Sequence, residues 1–338
     1  MPEQLRAALD TELAHVSPRR LAAAVTALSD RYRTSAGGAV MLHSPEDTIA
    51  YAAFRLPATF AAAQAVLHEV RRREESWAPR TLLDIGAGPG TVMWAAATVW
   101  PDLGQATLIE RDERMIALGK RLAAKSLSPD RREARWISAD LTALGEDVAP
   151  ADLVTASYVL GELPPDGRLR LLRRLWDLTA PRGGTLVIIE PGTPARFALI
   201  KEARDRLLAA GARTVAPCPH DWPCPMPAAD WCHFSRRVAR SRLHRQVKAG
   251  ELSYEDEKFA YLAVSRQPAG DSAADAAPSA LAPARVLRHP QVRPGHIRLE
   301  LCTPAGLESR VVTRGKDGDL YKHARGVRWG ETMPPGSQ

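Results

Sequence analysis

The run LLDIGAGPG at residues 82–90 constrains the fold of this chain more than any other stretch. Its apolar start is typical of a buried parallel strand, and the residues after its three glycines are typical of a helix. Glycines permit a turn with positive φ angles and let a ligand approach the backbone closely. Unpaired N–H groups at the start of the following helix can meet the same ligand. We therefore predict a cofactor-binding loop, with an ordinary tight turn as the alternative.

Acidic residues near this loop indicate which cofactor it binds. Asp84 lies just before the first glycine, and Glu110 ends the next predicted strand, where a carboxylate can hold ribose hydroxyls. The pattern resembles the first motif of class I S-adenosylmethionine-dependent methyltransferases more than that of dinucleotide dehydrogenases. Asp140 follows the third predicted strand, where this fold usually contacts adenine, although it is equally suited to cap a helix. The predicted S-adenosylmethionine site consists of Asp84, Gly86, Gly88, Gly90, Glu110 and Asp140.

Strand and helix patterns alternate along the middle of the chain, which favours an α/β fold with a parallel sheet covered on both faces. Strands are predicted at 81–85, 106–109, 134–137, 153–156, 185–189, 213–216 and 257–266. Helices are predicted at 3–33, 46–73, 91–100, 113–125, 167–179 and 195–210. The fold class predicted is a Rossmann-like class I methyltransferase fold with a cysteine-containing insertion and a small β-rich C-terminal appendage.

Changes in composition divide the chain into four predicted parts. Residues 1–75 form an N-terminal helical region, and residues 76–266 form the methyltransferase-like domain. An insertion at 217–250 carries three cysteines and a predicted basic helix at 233–248. Residues 267–284 are rich in Ala, Pro and Ser and are predicted to be a flexible linker. The appendage, 285–338, has predicted strands at 292–301, 309–314 and 319–323.

All four cysteines of the chain are candidate metal ligands. Intervals of five and seven residues, which include several prolines, separate Cys218, Cys224 and Cys232. The fourth cysteine, Cys302, lies in the appendage. A disulfide is not expected in a reducing compartment. Structural zinc sites commonly use ligand pairs about two to four residues apart, whereas an iron–sulfur cluster on four thiolates tolerates wider loops. The spacing leaves a cluster, zinc and no metal open, in that order of preference.

Positive charge is concentrated in the C-terminal half. The formal net charge is +7, yet residues 231–250 contain six Arg or Lys and no acidic residue, and residues 285–328 contain ten basic and four acidic residues. This placement favours a polyanionic partner such as RNA, with a solvated basic face as the alternative. The predicted RNA-binding residues are Arg236, Arg237, Arg240, Arg242, Arg245, Lys248, Lys322 and Arg325.

Several runs together resemble the mitochondrial small-ribosomal-subunit methyltransferase-like family. The most specific is the cysteine stretch, with APCPH at 216–220, CP at 224–225 and WCHF at 231–234. The others are YAAFRLP at 51–57, SYVLGELP at 157–164, KFAYL at 258–262, YKHAR at 321–325 and WG at 329–330. The resemblance implies a class I methyltransferase fold, a [4Fe-4S] cluster on Cys218, Cys224, Cys232 and Cys302, and association with the maturing small ribosomal subunit.

The predicted function is therefore a methyltransferase-like protein that binds S-adenosylmethionine, a [4Fe-4S] cluster and small-subunit ribosomal RNA in ribosome assembly or translation. We assign no catalytic residue. After the fourth strand the chain has Ser157 and Tyr158 where enzymes that methylate base amino groups carry an Asn/Asp-Pro-Pro-aromatic motif. The alternative is an active methyltransferase that acts on RNA or a small molecule and holds a structural zinc ion.

Location and assembly are predicted from what the sequence lacks. The first residues are acidic in part and have no apolar signal core, so we expect a cytoplasmic protein. No apolar run approaches the length of about 18 to 20 residues that crosses a bilayer, so we expect no membrane association. We also expect a monomer.

Overall fold

A computed structural model of the chain describes residues 1–34, 42, 44–126, 134–141, 144, 148–240, 253–266 and 283–334. Its helices are α1 Glu3–Leu13, α2 Pro18–Thr34, α3 Pro45–Arg73, α4 Thr91–Val99, α5 Glu113–Ser126, α6 Pro165–Asp177, α7 Pro194–Ala209 and α8 Gly318–Gly326. None of the described helices is long and apolar enough to cross a membrane.

Two helices, α1 and α2, replace the single helix predicted at 3–33. The chain turns after α1, where the side chain of Ser17 accepts a hydrogen bond from the backbone N–H of Arg20 (3.4 Å), and Pro18 begins α2. Helix α3 begins where Ser44 caps it by accepting from the backbone N–H of Asp47 at 3.1 Å. Its buried face, including Leu56 and Phe60, packs in the same core as the central sheet.

The central sheet has the order β3-β2-β1-β4-β5-β8-β6, with β7 paired to β8. Its strands are β1 Thr81–Ile85, β2 Gln105–Glu110, β3 Arg135–Ser138, β4 Leu153–Ser157, β5 Thr185–Pro191, β6 Arg213–Ala216, β7 Phe234–Ala239 and β8 Tyr254–Ser265. The first five are parallel, and β8 is antiparallel to β5. Because the order reverses at β1 and β4, the carboxyl ends of these strands meet at a crevice where ligands bind. The predicted class I methyltransferase fold is confirmed.

The basic helix predicted at 233–248 is wrong where the structure describes it. Residues 234–239 form strand β7, which pairs antiparallel with the first half of β8. Phe234, at its start, is buried against Phe259 and Tyr261 of β8, so the apolar residue anchors a strand rather than the face of a helix. The basic residues Arg242, Arg245 and Lys248 lie outside the described residues.

The appendage is a second sheet with the order β10-β11-β9-β13 and with β12 paired to β11. Its strands are β9 Ala284–Val286, β10 Gln291–Arg293, β11 His296–Thr303, β12 Gly306–Thr313 and β13 Thr332–Met333. The strand predicted at 292–301 is instead a hairpin, because Pro294-Gly295 forms a turn in which Gly295 has φ +80°. The strand predicted at 319–323 is wrong, since this stretch lies in helix α8, whose Ala324 is fully buried against the sheet.

Candidate functional sites

The glycine loop has the conformation that the sequence predicts. Gly86, Gly88 and Gly90 have φ angles of +68°, +54° and +86°, and Gly90 caps the start of α4. Among the described residues, a Cβ added at Gly88 would meet only the Tyr51 hydroxyl of α3, at 3.9 Å, so they leave the space above this residue open. A Cβ at Gly86 would instead lie 2.5 Å from the Val159 side chain. Gly86 is therefore needed for packing, whereas Gly88 leaves room for a ligand.

Asp84 lies beneath this loop and is fully buried. Its Oδ1 accepts a hydrogen bond from the Thr155 hydroxyl at 2.7 Å, and its Oδ2 has no hydrogen-bond partner among the described residues. Burial raises the pKa of Asp84 to about 7, the hydrogen bond from Thr155 lowers it, and the nearby Glu110 raises it. An unpartnered buried oxygen is costly, so this carboxyl is suited to a further hydrogen-bond donor.

Glu110 and Asp140 lie at the same edge in different surroundings. Glu110 accepts hydrogen bonds from the backbone N–H groups of Gly88 (2.8 Å), Arg111 (2.9 Å) and Asp112 (2.9 Å). These bonds fix its carboxylate beside the glycine loop. Asp140 is half exposed, 3.9 Å from the guanidinium of Arg111. The structure therefore brings the predicted S-adenosylmethionine residues to one edge, with Asp140 at its outer end.

Two further carboxyls stand at this edge. Glu190 is the penultimate residue of β5 and is buried, and its Oε1 accepts from the backbone N–H of Gly161 at 3.4 Å. Glu162 lies in the short 3₁₀ helix Leu160–Glu162 after β4. Burial raises the pKa of each to about 7, and Arg196 acts in the opposite direction on both. The sequence pattern does not distinguish these residues from ordinary helix caps. Their raised pKa values depend on burial in the tertiary structure, which the sequence does not show.

The raised pKa of Glu190 predicts a specific dependence of stability on pH. A carboxyl with a higher pKa in the folded state favours folding at low pH, and this contribution is lost as pH rises through the folded value of about 7. We expect Glu190→Gln, which keeps the hydrogen-bond acceptor, to remove this loss. Between pH 5 and pH 8 the unfolding free energy of the parent chain should fall by on the order of 2 kcal/mol more than that of the variant.

Urea unfolding at the two pH values measures this difference. Glu202→Gln is the matched control, because Glu202 lies on α7 in an exposed ion pair with Arg206. If the unfolding free energy of Glu190→Gln and that of the parent chain change equally with pH, the pKa of Glu190 is not raised in the folded state.

A network that the sequence did not reveal lies beside the loop. Tyr158 follows β4 with a positive φ of +62°, and its hydroxyl donates to Oε1 of Glu257 in β8 at 3.0 Å. Arg55 of α3 donates to both oxygens of Glu257 at 3.3 Å. Burial and the charge of Glu257 raise the pKa of Tyr158 well above its usual value. Tyr158 and Glu257 are 99 positions apart and Arg55 and Glu257 are 202 apart, so no local pattern indicates these contacts.

The four cysteines line one cavity between the methyltransferase-like domain and the appendage. Cys218, Cys224 and Cys232 come from the proline-rich loop, and Cys302 comes from β11. Three of them, Cys224, Cys232 and Cys302, pack in one apolar cluster with Met226 and Leu287. The cavity has an empty volume of about 580 Å³ counted to its open mouth.

The thiols interact with one another across this cavity. Burial raises the pKa of Cys218, raises that of Cys232 well above its usual value and raises that of Cys302 to about 12. Charge on the other cysteines adds to each increase. Cys302 Sγ lies 3.6 Å from Nε2 of His220, and Nδ1 of His220 is buried with no partner among the described residues.

The described residues do not form a ready-made metal site, since no three His, Cys, Asp or Glu side chains among them form a group that could hold a metal ion. The donors that line the cavity are nonetheless four thiols, which bind metals as thiolates and are the ligand set of zinc and of iron–sulfur clusters. The donor set therefore suits either a zinc ion or an iron–sulfur cluster.

Aromatic contacts hold the cysteine loop against the appendage. His233 stacks on Trp231 with ring centroids 4.9 Å apart and meets the edge of Trp329 at 4.8 Å. Trp231 also donates from Nε1 to the backbone oxygen of Gly192 at 2.9 Å. The WCHF and WG runs thus have a structural role in joining the cysteine loop to the appendage.

The predicted RNA-binding residues that are described lie in two places. Arg236 and Arg237 are exposed on β7, and Arg240 follows this strand. Arg237 pairs with Asp256 at 3.0 Å and lies over the ring of Tyr254, and Arg240 pairs with Glu255 at 3.6 Å. Lys322 and Arg325 are exposed on α8, where Lys322 pairs with Asp319 at 2.8 Å. Acidic partners therefore neutralise part of the predicted basic surface.

Comparison with known proteins identifies the family. A family model described as "Mitochondrial small ribosomal subunit Rsm22" matches residues 45–334. The chain belongs to the Rsm22 family. The human "Ribosome assembly protein METTL17, mitochondrial" is 31% identical over 85% of this chain and 62% of its own length. The "Rsm22-cox11 tandem protein 2, mitochondrial" of Schizosaccharomyces pombe is 26% identical over 85% of this chain and 43% of its own length.

This Rsm22-family chain thus spans less than two thirds of either curated relative. Solved structures similar to it include magnesium protoporphyrin IX methyltransferase from Synechocystis PCC 6803 with bound S-adenosylmethionine, at a TM-score of 0.41 and 15% identity over 70% of this chain and 90% of that one. The plantazolicin methyltransferase BpumL has a TM-score of 0.43 and 10% identity over 74% of this chain and 98% of that one.

The family also corrects the predicted location. We expected a cytoplasmic protein from the absence of a signal core in the first residues. The family description and the human and fission yeast relatives are mitochondrial, which points to the mitochondrion rather than the cytoplasm. The prediction of a cytoplasmic location is therefore wrong. The error arose because the composition of the first residues was treated as informative about targeting.

Proposed function

We propose that this chain binds S-adenosylmethionine at the glycine loop, holds a [4Fe-4S] cluster on its four cysteines and binds small-subunit ribosomal RNA during ribosome assembly or translation. The observation that carries the proposal is the cavity lined by Cys218, Cys224, Cys232 and Cys302 between the domain and the appendage. A centre at this position would join two separately folded sheets. Its role is structural, because it fixes one surface built from both parts.

Three features of the donor loop support S-adenosylmethionine as the ligand. The space above Gly88 is open, and the backbone conformation there favours glycine. Glu110 is held beside the loop, where its carboxylate can accept from ribose hydroxyls. The start of α4, capped by Gly90, supplies unpaired N–H groups. S-adenosylmethionine would supply a methyl group there, and the chain's own residues would bind and orient it.

The spacing of the cysteines supports a cluster over the zinc alternative. Structural zinc sites commonly use ligand pairs about two to four residues apart. The intervals of five and seven residues between Cys218, Cys224 and Cys232 are wider, and a cluster on four thiolates tolerates them. Bound as thiolates, Cys218, Cys224, Cys232 and Cys302 would hold the cluster, which can exchange electrons and cross-link the two parts of the chain.

The proposed partner follows from the family and the basic strand. The human relative's name describes a ribosome assembly protein, and the family description names the mitochondrial small ribosomal subunit. Arg236 and Arg237 present their side chains to solvent on β7. Guanidinium groups form hydrogen bonds with phosphate oxygens in a fork geometry, so this strand is suited to an RNA backbone.

The segment after β4 supports binding without methyl transfer. Ser157 and Tyr158 stand where enzymes that methylate base amino groups carry an Asn/Asp-Pro-Pro-aromatic motif. An acceptor would approach this segment, where Tyr158, Glu257 and Arg55 are bonded to one another. We therefore keep transfer to RNA or a small molecule as the second proposal. Transfer of labelled methyl groups from S-adenosylmethionine to small-subunit RNA would favour it.

Charge reversal on β7 tests the RNA partner. We expect Arg236→Glu with Arg237→Glu to weaken binding of a small-subunit ribosomal RNA transcript by at least about tenfold at low salt. Two lost phosphate contacts should also reduce the slope of log affinity against log salt by about one to two. Binding is measured by fluorescence anisotropy over a series of salt concentrations.

The control carries the same change of charge elsewhere. Arg19 and Arg20 are exposed on α2, so Arg19→Glu with Arg20→Glu alters the net charge equally without touching β7. If both double variants weaken binding to the same extent, net charge alone explains the effect and β7 is not the RNA surface.

A further inference from the structure

Two arginines are buried in the wall of the cysteine cavity. Arg204 of α7 is 3% exposed and Arg285 of β9 is 1% exposed, and both line the same cavity as the four cysteines. Arginine is almost never fully buried unless it is paired, because removing its charge from water is expensive. The hydrogen-bond and ion-pair partners of these two side chains therefore show how far each positive charge is balanced.

Arg285 joins three segments of the chain. Its Nε donates to the backbone oxygen of Pro217 at 2.9 Å, at the start of the cysteine loop, and one terminal nitrogen donates to that of Gly330 at 2.7 Å. The other terminal nitrogen contacts the carboxylate of Glu69 in α3. Glu69 is itself shared with Arg72 at 2.7 Å and Arg73 at 3.3 Å. One carboxylate thus forms ion pairs with three guanidinium groups.

The positive charge of Arg204 is balanced by nearby negative charge even less than that of Arg285. One terminal nitrogen donates to the backbone oxygens of His220 (2.9 Å) and Trp222 (2.6 Å), which hold the cysteine loop in place. Among the described residues it forms an ion pair with the exposed carboxylate of Asp205, at 3.4 Å. Its Nε is buried and has no hydrogen-bond partner among the described residues.

Positive charge exceeds negative charge in the wall of the cavity. The described residues that line it include Arg204, Arg285 and Lys201 but no Asp or Glu. The carboxylates of Glu69 and Asp205 contact Arg285 and Arg204 from outside this lining. A thiol is neutral and cannot balance this excess, whereas a thiolate bound to a metal centre can. Both arginines line the same cavity as the four cysteines, so negative charge on metal-bound thiolates would lie beside them.

We propose that Arg204 and Arg285 are the charge partners of the four-cysteine centre, which they hold in its anionic form and whose reduction potential they raise. The inference rests on the proposed function, since it takes the centre to be a cluster on four thiolates. A cation beside a cluster stabilises the more negative, reduced state, so removing it lowers the potential. Both arginines are positioning residues, because they act through the thiolates.

The test compares three variants of the anaerobically purified holoprotein. Arg204→Gln removes the charge, Arg204→Lys retains it, and Arg266→Gln removes a partly buried arginine that stacks on Trp176 at the other edge of the sheet. A redox titration followed by electron paramagnetic resonance gives each potential. We expect a lower potential for Arg204→Gln only. An unchanged potential in Arg204→Gln at full iron content would overturn the inference while leaving the cluster in place.

A second measurement separates this inference from the proposed cluster. The metal-free proteins are titrated with Co²⁺, whose bonds to thiolates absorb light. We expect Arg204→Gln to bind Co²⁺ at least about tenfold more weakly than the parent chain, and Arg204→Lys and Arg266→Gln to bind it equally well. If the parent chain proves to contain no iron or sulfide, the proposal of a cluster is refuted. The Co²⁺ titrations alone then decide the role of Arg204. Equal Co²⁺ affinity in all four proteins would refute that role.

Discussion

Gly88→Arg is expected to weaken S-adenosylmethionine binding by at least about 100-fold in Kd, which corresponds to about 2.7 kcal/mol. In the part of the chain that the structure describes, the Cβ of a residue at this position would have only the Tyr51 hydroxyl within 4 Å, at 3.9 Å. A longer side chain therefore extends into the open space that the donor would occupy. Isothermal titration calorimetry with S-adenosylmethionine and S-adenosylhomocysteine measures the loss.

Gly211→Arg is the matched control for backbone strain. Gly211 follows α7 with φ +87°, and a Cβ there meets nothing within 4 Å. Both variants place a non-glycine residue in the left-handed region, at a cost of roughly 1–2 kcal/mol. The two should therefore melt at similar temperatures, and only Gly88→Arg should lose the ligand. Undiminished affinity in Gly88→Arg would mean that the donor does not bind at this loop.

The parallel sheet was predicted well from the sequence because the pattern that indicates each strand lies within a few neighbouring residues. Each strand is a short apolar run, and the LLDIGAGPG run places the turn after β1 at the right residues. The errors occurred where tertiary contacts decide the structure. Residues 234–239 form a strand because β8 offers a partner, and residues 318–326 form a helix because Ala324 finds a buried position on the second sheet.

The site was predictable only in its local parts. Positive-φ glycines and clustered cysteines are visible as patterns, and the structure places them at one loop and one cavity. The contact of Glu257 with Arg55 and Tyr158 joins residues 202 and 99 positions apart. The buried guanidinium of Arg285 likewise depends on Glu69, 216 positions away. Such contacts are set by how elements pack, so spacing in the sequence carries no signal for them.

Cys224→Ser is expected to remove most of the iron and sulfide of the purified protein and to destabilise it. Serine is similar in size to cysteine but does not replace its thiolate as a soft ligand. A centre that binds only the folded chain adds its binding free energy to stability. We therefore expect the unfolding free energy to fall by on the order of 4 kcal/mol, the gain expected at about 1,000 times Kd. Absorbance spectra, metal and sulfide assays and urea unfolding measure these changes.

Met226→Leu is the matched control within the same cavity. Met226 packs in one cluster with Cys302 and Leu287, so this variant changes the lining without removing a thiol. It should retain its iron and sulfide. An unchanged iron content in Cys224→Ser would refute Cys224 as a ligand, and zinc without sulfide in the parent chain would favour the zinc alternative.

Removal of the metal from both proteins identifies the source of the stability. If Cys224 acts through the centre, the metal-free parent chain should unfold at the same urea concentration as metal-free Cys224→Ser. A difference that persists without metal would instead come from packing of the side chain among Met226, Leu287 and Cys302. Because Cys302 belongs to β11 and the other three cysteines to the loop after β6, a centre that binds all four must couple the two sheets. Its loss should therefore expose the appendage to proteolysis before the methyltransferase-like domain.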